Sequence, residues 1–330
     1  MKSFQLYEPK SVQEAVGVLT QFGDKAKALA GGSDLVAGVM KDWVQGKGMP
    51  LPDALVDLTT IPKLRGIQID NNGTTIGALT TLSEIVESKE LTERFPLLTQ
   101  SARSVASQLI RNYGTLGGNI NQRPRCWFFR GEDFDCYKKG GDICFSVTGD
   151  NRYHAIIGGE QCYIVHPSDT AHALLALNAQ AKIAGPNGER TIPFDDYFIS
   201  PGEDILRENV LQPNELMTEV FIPAPAQGTK QAWAKLKNRQ VYDFAIVSVA
   251  AAFTEANGTW TDGRIVLGGV APVPYRATVV ENQLKGKNIK SSIQQAAALI
   301  RTVARPMSMN AYKVDITQNM LEQTILEALG

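Results

Sequence analysis

A chain of 330 residues, 43% hydrophobic and 20% charged, is long enough for about two domains that each bury a core. Its formal net charge of −1 gives no electrostatic basis for holding nucleic acid or an anionic membrane. No apolar run approaches the roughly 20 residues that span a bilayer, and the opening MKSFQLYEPKS lacks the apolar stretch of a secretory signal.

The first half reads as alternating strands and helices. Ser11 and Glu14 have the S-x-x-E spacing of a helix start, and Val12, Ala15, Val16 and Leu19 fall on one face behind it. Lys27 to Leu29 is strand-like and runs into Gly31-Gly32-Ser33-Asp34, after which a helical pattern resumes. Strands are predicted at Ala54–Asp57 and Thr74–Leu79, and helices at Leu82–Glu87 and Leu97–Ser107. From Asn121 to about Gln161 periodicity disappears, and Gly, Arg, Asp, Lys and aromatic residues dominate. So long an irregular stretch inside a compact domain is usually functional or disordered. It therefore reads as an insertion, with order resuming at a strand-like Tyr163-Ile164-Val165 and a helix led by Ser168-Asp169. Pro223 to Gly228 marks a boundary. Beyond it, strands at Ala232–Leu236, Ala245–Phe253 and Ile265–Val270 precede helices around Ser292–Ala304 and Asp315–Leu329, the order of a separate α+β domain.

All four cysteines, Cys126, Cys136, Cys144 and Cys162, lie in the one segment that lacks periodicity. Two disulfides would account for an even count, but a chain this size builds its core without them, and clustering favours a shared ligand. Cysteine thiolates hold iron–sulfur clusters, four to a cubane, and also zinc. The spacing Cys126-x9-Cys136-x7-Cys144-x17-Cys162 is looser than the C-x-x-C of ferredoxins and zinc ribbons. Buried free cysteines are the bland alternative. His154 and His166 flank the last cysteine, as ligands, as hydrogen-bond donors to sulfur or as ordinary structural histidines. Arg123, Arg125 and Arg130 form a positive patch beside Cys126 that would offset the charge of a thiolate site, or simply face solvent. No G-x-S-x-G or H-E-x-x-H is present, and there are only three histidines.

Two glycine loops carry the other signal. Ala30-Gly31-Gly32-Ser33-Asp34, between a strand and a helix, lets backbone N–H groups converge on an anion, and a dinucleotide pyrophosphate suits it. It lacks the G-x-G-x-x-G of a Rossmann motif, and a glycine pair in a turn is often purely structural. Gly114-Thr115-Leu116-Gly117-Gly118-Asn119-Ile120 adds a hydroxyl and an amide able to bond phosphate or ribityl oxygens.

GGSDL, IGALTTLSEI, TLGGNI, HPSDTAHALLAL, KLKNRQVYDFAIVSVA and GGVAPVPYRA occur in this order along most of the chain, from about Phe4 to beyond Glu281. In these motifs the chain resembles the FAD-binding medium subunits of the xanthine dehydrogenase family of molybdenum hydroxylases. The resemblance implies an α+β protein: a PCMH-type (vanillyl-alcohol-oxidase-like) FAD-binding domain over 1–222, then a CO-dehydrogenase-flavoprotein C-terminal α+β domain over 229–330. By the same resemblance Leu29, Ala30, Gly31, Gly32, Ser33, Asp34 and Leu35 would wrap the pyrophosphate, with Gly114, Thr115, Gly117, Gly118 and Asn119 on its other side. Asp169 would contact the flavin side chain, and Lys235 would lie near the isoalloxazine or else be a solvated strand lysine.

Ordinary medium subunits pass from GGNI to PSD through a short connection, whereas here the cysteine segment, about 121–162, is inserted. It looks like the insertion in the flavin subunits of periplasmic aldehyde oxidoreductases and of 4-hydroxybenzoyl-CoA reductase, which carry a [4Fe–4S] cluster. CWFFR and NRYHAI look closest to the aldehyde oxidoreductase version. The expectation is an FAD- and [4Fe–4S]-carrying electron-transfer subunit with no substrate site of its own. Its partners would be a large molybdopterin subunit and a small subunit with two [2Fe–2S] clusters, in a heterotrimer. Replacing Cys136 by Ser would remove the cluster and leave the flavin. The competing readings are a reductase subunit and a non-redox assembly subunit with a structural zinc loop. Either cytoplasm or periplasm fits, the latter by export with a partner that carries a twin-arginine signal.

Overall fold

The computed structural model describes residues 2–40 and 44–330. Three sheets organise the chain. The first is a small parallel sheet of β1 (Gln5–Tyr7), β2 (Ala26–Leu29) and β3 (Ala54–Asp57), in the order β1-β3-β2. Helix α1 (Val12–Phe22) makes the crossover and buries Ala15, Val16 and Leu19. Its start is the predicted cap, with Ser11 Oγ accepting from Glu14 N at 3.1 Å.

The second sheet is antiparallel: β4 (Ile67–Ile69), β5 (Gly73–Gly77), β8 (Leu216–Pro223), β6 (Gln180–Gly185) and β7 (Gly188–Pro193), in the order β4-β5-β8-β6-β7. Everything between β5 and β6 leaves this sheet and returns. That excursion contains the short helices α2 (Leu82–Glu87), α3 (Lys89–Arg94), α4 (Pro96–Arg103), α5 (Gln108–Tyr113) and α6 (Leu116–Ile120), then the cysteine segment with α7 (Trp127–Arg130), then α8 (Asp169–Ala176). The second glycine loop and the whole cysteine segment therefore belong to one excursion from this sheet.

The third sheet runs β9 (Lys230–Leu236), β10 (Val247–Ala256), β11 (Thr259–Gly268) and β12 (Tyr275–Arg276), in the order β12-β11-β10-β9. It is followed by α9 (Thr278–Leu284), α10 (Ile289–Ala298), α11 (Ile300–Val303) and α12 (Tyr312–Leu329). Strand β10 is buried on both faces. Ala250 and Ala252 join the core that holds Leu97, Leu98 and Leu174 of α4 and α8, while Val247, Val249, Ala251 and Phe253 face Ile293, Leu321 and Ile325 of α10 and α12. The two-residue alternation of a strand thus joins two cores.

Some expectations are corrected. Tyr163–Val165 is not a strand; it is held instead by Ala155 N donating to Tyr163 O. The helix predicted to reach Ser107 ends at Arg103, and Ala106 just beyond takes φ 44°. The helix predicted at Ser292–Ala304 is two, α10 and α11. No helix among the described residues is long and apolar enough to cross a membrane.

Candidate functional site

Beyond Leu29 the chain turns through Gly31 and Gly32 into a π-helical turn at Leu35–Val39. Gly32 has φ 69°, a left-handed conformation that glycine adopts without strain. A Cβ on Gly31 would overlap the Tyr113 carbonyl, so its absence lets the first glycine loop close onto the second. In the second loop, Thr115 Oγ1 accepts from Gly118 N at 3.1 Å and caps α6. Asn119 Oδ1 accepts from Ser168 Oγ and from Thr170 Oγ1, both at 2.6 Å, which fixes α6 against the start of α8.

Together these loops wall a cavity of about 870 Å³, within the range that houses a bound cofactor. Of the predicted residues, Ala30, Gly31, Gly32, Ser33, Asp34, Leu35, Gly114, Thr115, Gly118, Asn119, Asp169 and Lys235 line it. Leu29 and Gly117 do not. The Leu29 side chain packs beneath Gly32, and Gly117 turns inward onto Ala78, donating its N–H to the Ala78 carbonyl at 2.8 Å. The π-turn also spends the Asp34 carboxylate elsewhere, as described below.

At the inner end of the cavity, Lys235 Nζ donates to Asp169 Oδ2 at 2.5 Å and to the Ser104 carbonyl at 3.1 Å. The two side chains are 4% and 5% exposed, so Lys235 is not a solvated strand lysine. Burial pushes the Asp169 carboxyl above the usual carboxylate range, and the Lys235 ammonium opposes it. Across the third sheet, Lys235, Ser248 and Gly268 are register neighbours, and α8 lies over them. Asp169 meets Lys235, and His172, one turn on, meets Ser248 and Gly268. His172 and His166 are buried ring against ring, with centroids 6.0 Å apart.

Two further walls carried no recognisable motif. They include residues 47–52 and 206–209, and Tyr242 and Phe244 also line the cavity. Glu208 in the second is 7% exposed and pairs with Lys138 at 2.6 Å and Arg123 at 2.8 Å, partners too distant in the chain for any local pattern to reveal.

The four cysteines line one narrow cavity, walled by Phe128, Phe129, Phe145, His154 and Ile164. None is in a disulfide. His154 Nε2 stands 3.2 Å from Cys126 Sγ, and Ser146 Oγ stands 3.0 Å from Cys144 Sγ. Backbone N–H groups of Phe128 and Phe129 point at Cys126, those of Lys138 and Lys139 at Cys136, and that of Ile164 at Cys162. Such donors suit thiolates, but burial, reinforced by the neighbouring cysteines, outweighs them and pushes the Cys126 thiol up to about 12 and that of Cys162 to about 11. The sulfurs would be held as thiolates only by a ligated cation. Among the described residues no group of three or more His, Cys, Asp or Glu side chains is drawn together tightly enough to hold a single metal ion. His166 is not beside the sulfurs; it packs on Phe198 at 4.9 Å.

The arginines beside Cys126 do not form a free patch. Arg125 and Arg130 each place a guanidinium nitrogen 2.8 Å from Asp34 Oδ1, and Arg123 N donates to Asp34 Oδ2 at 2.7 Å. Phe128, Phe134 and Phe145 pack ring to ring behind them.

Comparison with known proteins agrees with this geometry. The family described as FAD binding domain in molybdopterin dehydrogenase matches residues 2–225, and the CO dehydrogenase flavoprotein C-terminal domain matches 231–328. The carbon monoxide dehydrogenase medium chain of Hydrogenophaga pseudoflava is 31% identical over 99% of this chain and 96% of its own length. The aldehyde oxidoreductase FAD-binding subunit PaoB of Escherichia coli K12 is also 31% identical, over 99% of each chain. The solved carbon monoxide dehydrogenase from Hydrogenophaga pseudoflava superposes with a TM-score of 0.77 at 30% identity, covering 99% of this chain and 98% of that one. The chain belongs to the FAD-binding medium subunits of the xanthine dehydrogenase, or molybdenum hydroxylase, family, and is an oxidoreductase subunit.

Proposed function

We propose that this chain is the FAD- and [4Fe–4S]-carrying electron-transfer subunit of a molybdenum-dependent aldehyde oxidoreductase. In that complex electrons leave a molybdenum site on a large subunit, pass the [2Fe–2S] clusters of a small one, and reach flavin and an external acceptor. The observation that carries the reading is the cysteine cavity: four thiols on one inserted segment face a single aromatic-walled space. The likeness to PaoB, an aldehyde oxidoreductase FAD-binding subunit, supports the substrate class. Four cysteine thiolates are the ligand set of a cubane cluster, and all four line this one cavity.

When bound, FAD exchanges one or two electrons and an iron–sulfur cluster one. The chain's own residues bind, orient and exclude water. Gly31, Gly32 and Ser33 would present backbone N–H groups to the pyrophosphate, with the second glycine loop opposite. The Asp169–Lys235 pair would hold the flavin end, its charges fixed by Ser104. Phe128, Phe129 and Phe145 would keep water from the thiolates. The domain junction in this reading lies in the connector between β8 and β9, residues 224–229.

The test is iron, acid-labile sulfide and flavin content of the anaerobically purified complex. About four iron and four sulfide beyond the small subunit's clusters, with one FAD, are expected. Cys136→Ser should abolish that excess. One zinc and no excess iron would overturn the cluster.

A further inference from the structure

Three separate walls of the flavin cavity are fastened to the cysteine segment. The first glycine loop is held through Asp34, whose carboxylate takes Arg125, Arg130 and the Arg123 N–H. A Cβ on Gly38 would overlap the Arg130 guanidinium, so the π-turn is shaped to admit that arginine. The second wall meets the segment where Gly48 N donates to the Lys139 carbonyl at 2.9 Å. Val44 and Met49 share a small core with Phe129 and Cys136. The third wall is held by Lys138, 1% exposed, which donates to the Ile205 and Arg207 carbonyls as well as to Glu208. Arg123 adds a bond to the Leu206 carbonyl at 3.0 Å.

The segment itself contains only α7 and one 3₁₀ turn. For a segment with so little regular structure, metal ligation supplies folding free energy beyond these anchoring contacts. We propose that FAD affinity and cluster occupancy are thermodynamically linked, with Asp34 and Glu208 as the positioning residues that carry the linkage. Ordering the cysteine segment presents Arg123, Arg125, Arg130 and Lys138 to these two carboxylates, and the carboxylates set the walls that receive FAD. The linkage is reciprocal: FAD must favour the cluster-bound state by the same factor. This rests on the cluster reading above, and it replaces the expectation that losing the cluster leaves the flavin undisturbed.

The complex is freed of FAD with a chaotropic salt, and FAD is titrated back by fluorescence into wild type, Cys136→Ser and Asp34→Asn. Iron retained against a chelator at equilibrium is then measured with and without saturating FAD. Cys136→Ser should bind FAD on the order of tenfold more weakly, and FAD should protect wild-type iron by a similar factor. Asp34→Asn should keep its iron yet lose the protection, an outcome that a merely structural role would not give. If Cys136→Ser fails to fold, wild type stripped of iron by chelation gives the same comparison. Equal FAD affinity with and without a verified cluster overturns the linkage alone. Wild-type complex with no excess iron overturns the cluster and the linkage together.

Discussion

Lys235 and Asp169 form the buried pair on which the inner end of the flavin cavity rests. Lys235→Met would leave the buried Asp169 carboxylate without its ion-pair partner, at a cost of about 3–5 kcal/mol. Adding Asp169→Asn should recover most of that loss, and urea unfolding of the flavin-free complex checks both. Next to this pair, His172 and His166 introduce a pH dependence. Burial, with His166 and Lys235 adding to it, holds the His172 imidazole well below its ordinary value, and burial holds that of His166 down to about 4, with Glu208 opposing. The folded protein therefore keeps both rings neutral, while the unfolded chain protonates them below about 6.5. Their stabilisation is complete above that pH and is lost as pH falls toward 4, at about 1.4 kcal/mol per unit for each ring. Denaturation midpoints between pH 7.5 and 5 should show the decline. His172→Phe should remove its share of the slope, because neither ring nitrogen has a hydrogen-bond partner among the described residues.

At the level of single elements, the start of α8 joins the fold to the site. Ser168 caps it by accepting from Ala171 N at 3.1 Å, and the same hydroxyl donates to Asn119 of the second glycine loop. Ser168→Ala should therefore cost about 2 kcal/mol and weaken FAD binding. Ser88→Ala, at the surface cap of α3, should cost about 1 kcal/mol and leave FAD binding alone; paired melts and FAD titrations separate the two. Local chemistry of this kind is what made much of the fold legible. The Ser11 cap, the apolar run of β10 and the glycine loops all announce themselves within a few residues. Strand β8 was not anticipated, because it pairs with β5 across a long excursion, whereas β6 and β7 were missed although they form a local hairpin that closes between Gly185 and Gly188. The site divided in the same way: short-range glycine turns were readable, whereas the Asp34–Arg130 and Glu208–Lys138 contacts join distant segments. Asp34 was expected to serve the pyrophosphate from its position in the loop, and only the fold reveals that three donors from the cysteine segment occupy its carboxylate.

For the molecule as a whole, the face of β10 that carries Ala250 and Ala252 makes the third sheet part of the first unit's core. Heating the flavin-free chain in a calorimeter should give one cooperative transition, since Ala250, Ala252 and Val266 complete the core of the first half while Ile156 and Ile157 enter that of the second; two resolved peaks would contradict this. Lys235 also arrives from beyond the connector to complete the cavity, so residues 1–228 alone should not bind FAD with the affinity of the whole chain. The connector itself, Ala224 to Gly228, is exposed at Ala224, Ala226, Gln227 and Gly228 and belongs to neither sheet. A protease of broad specificity should cut there first. The nicked protein should still migrate as one species in gel filtration with its flavin in place, and only a detergent gel would reveal two pieces.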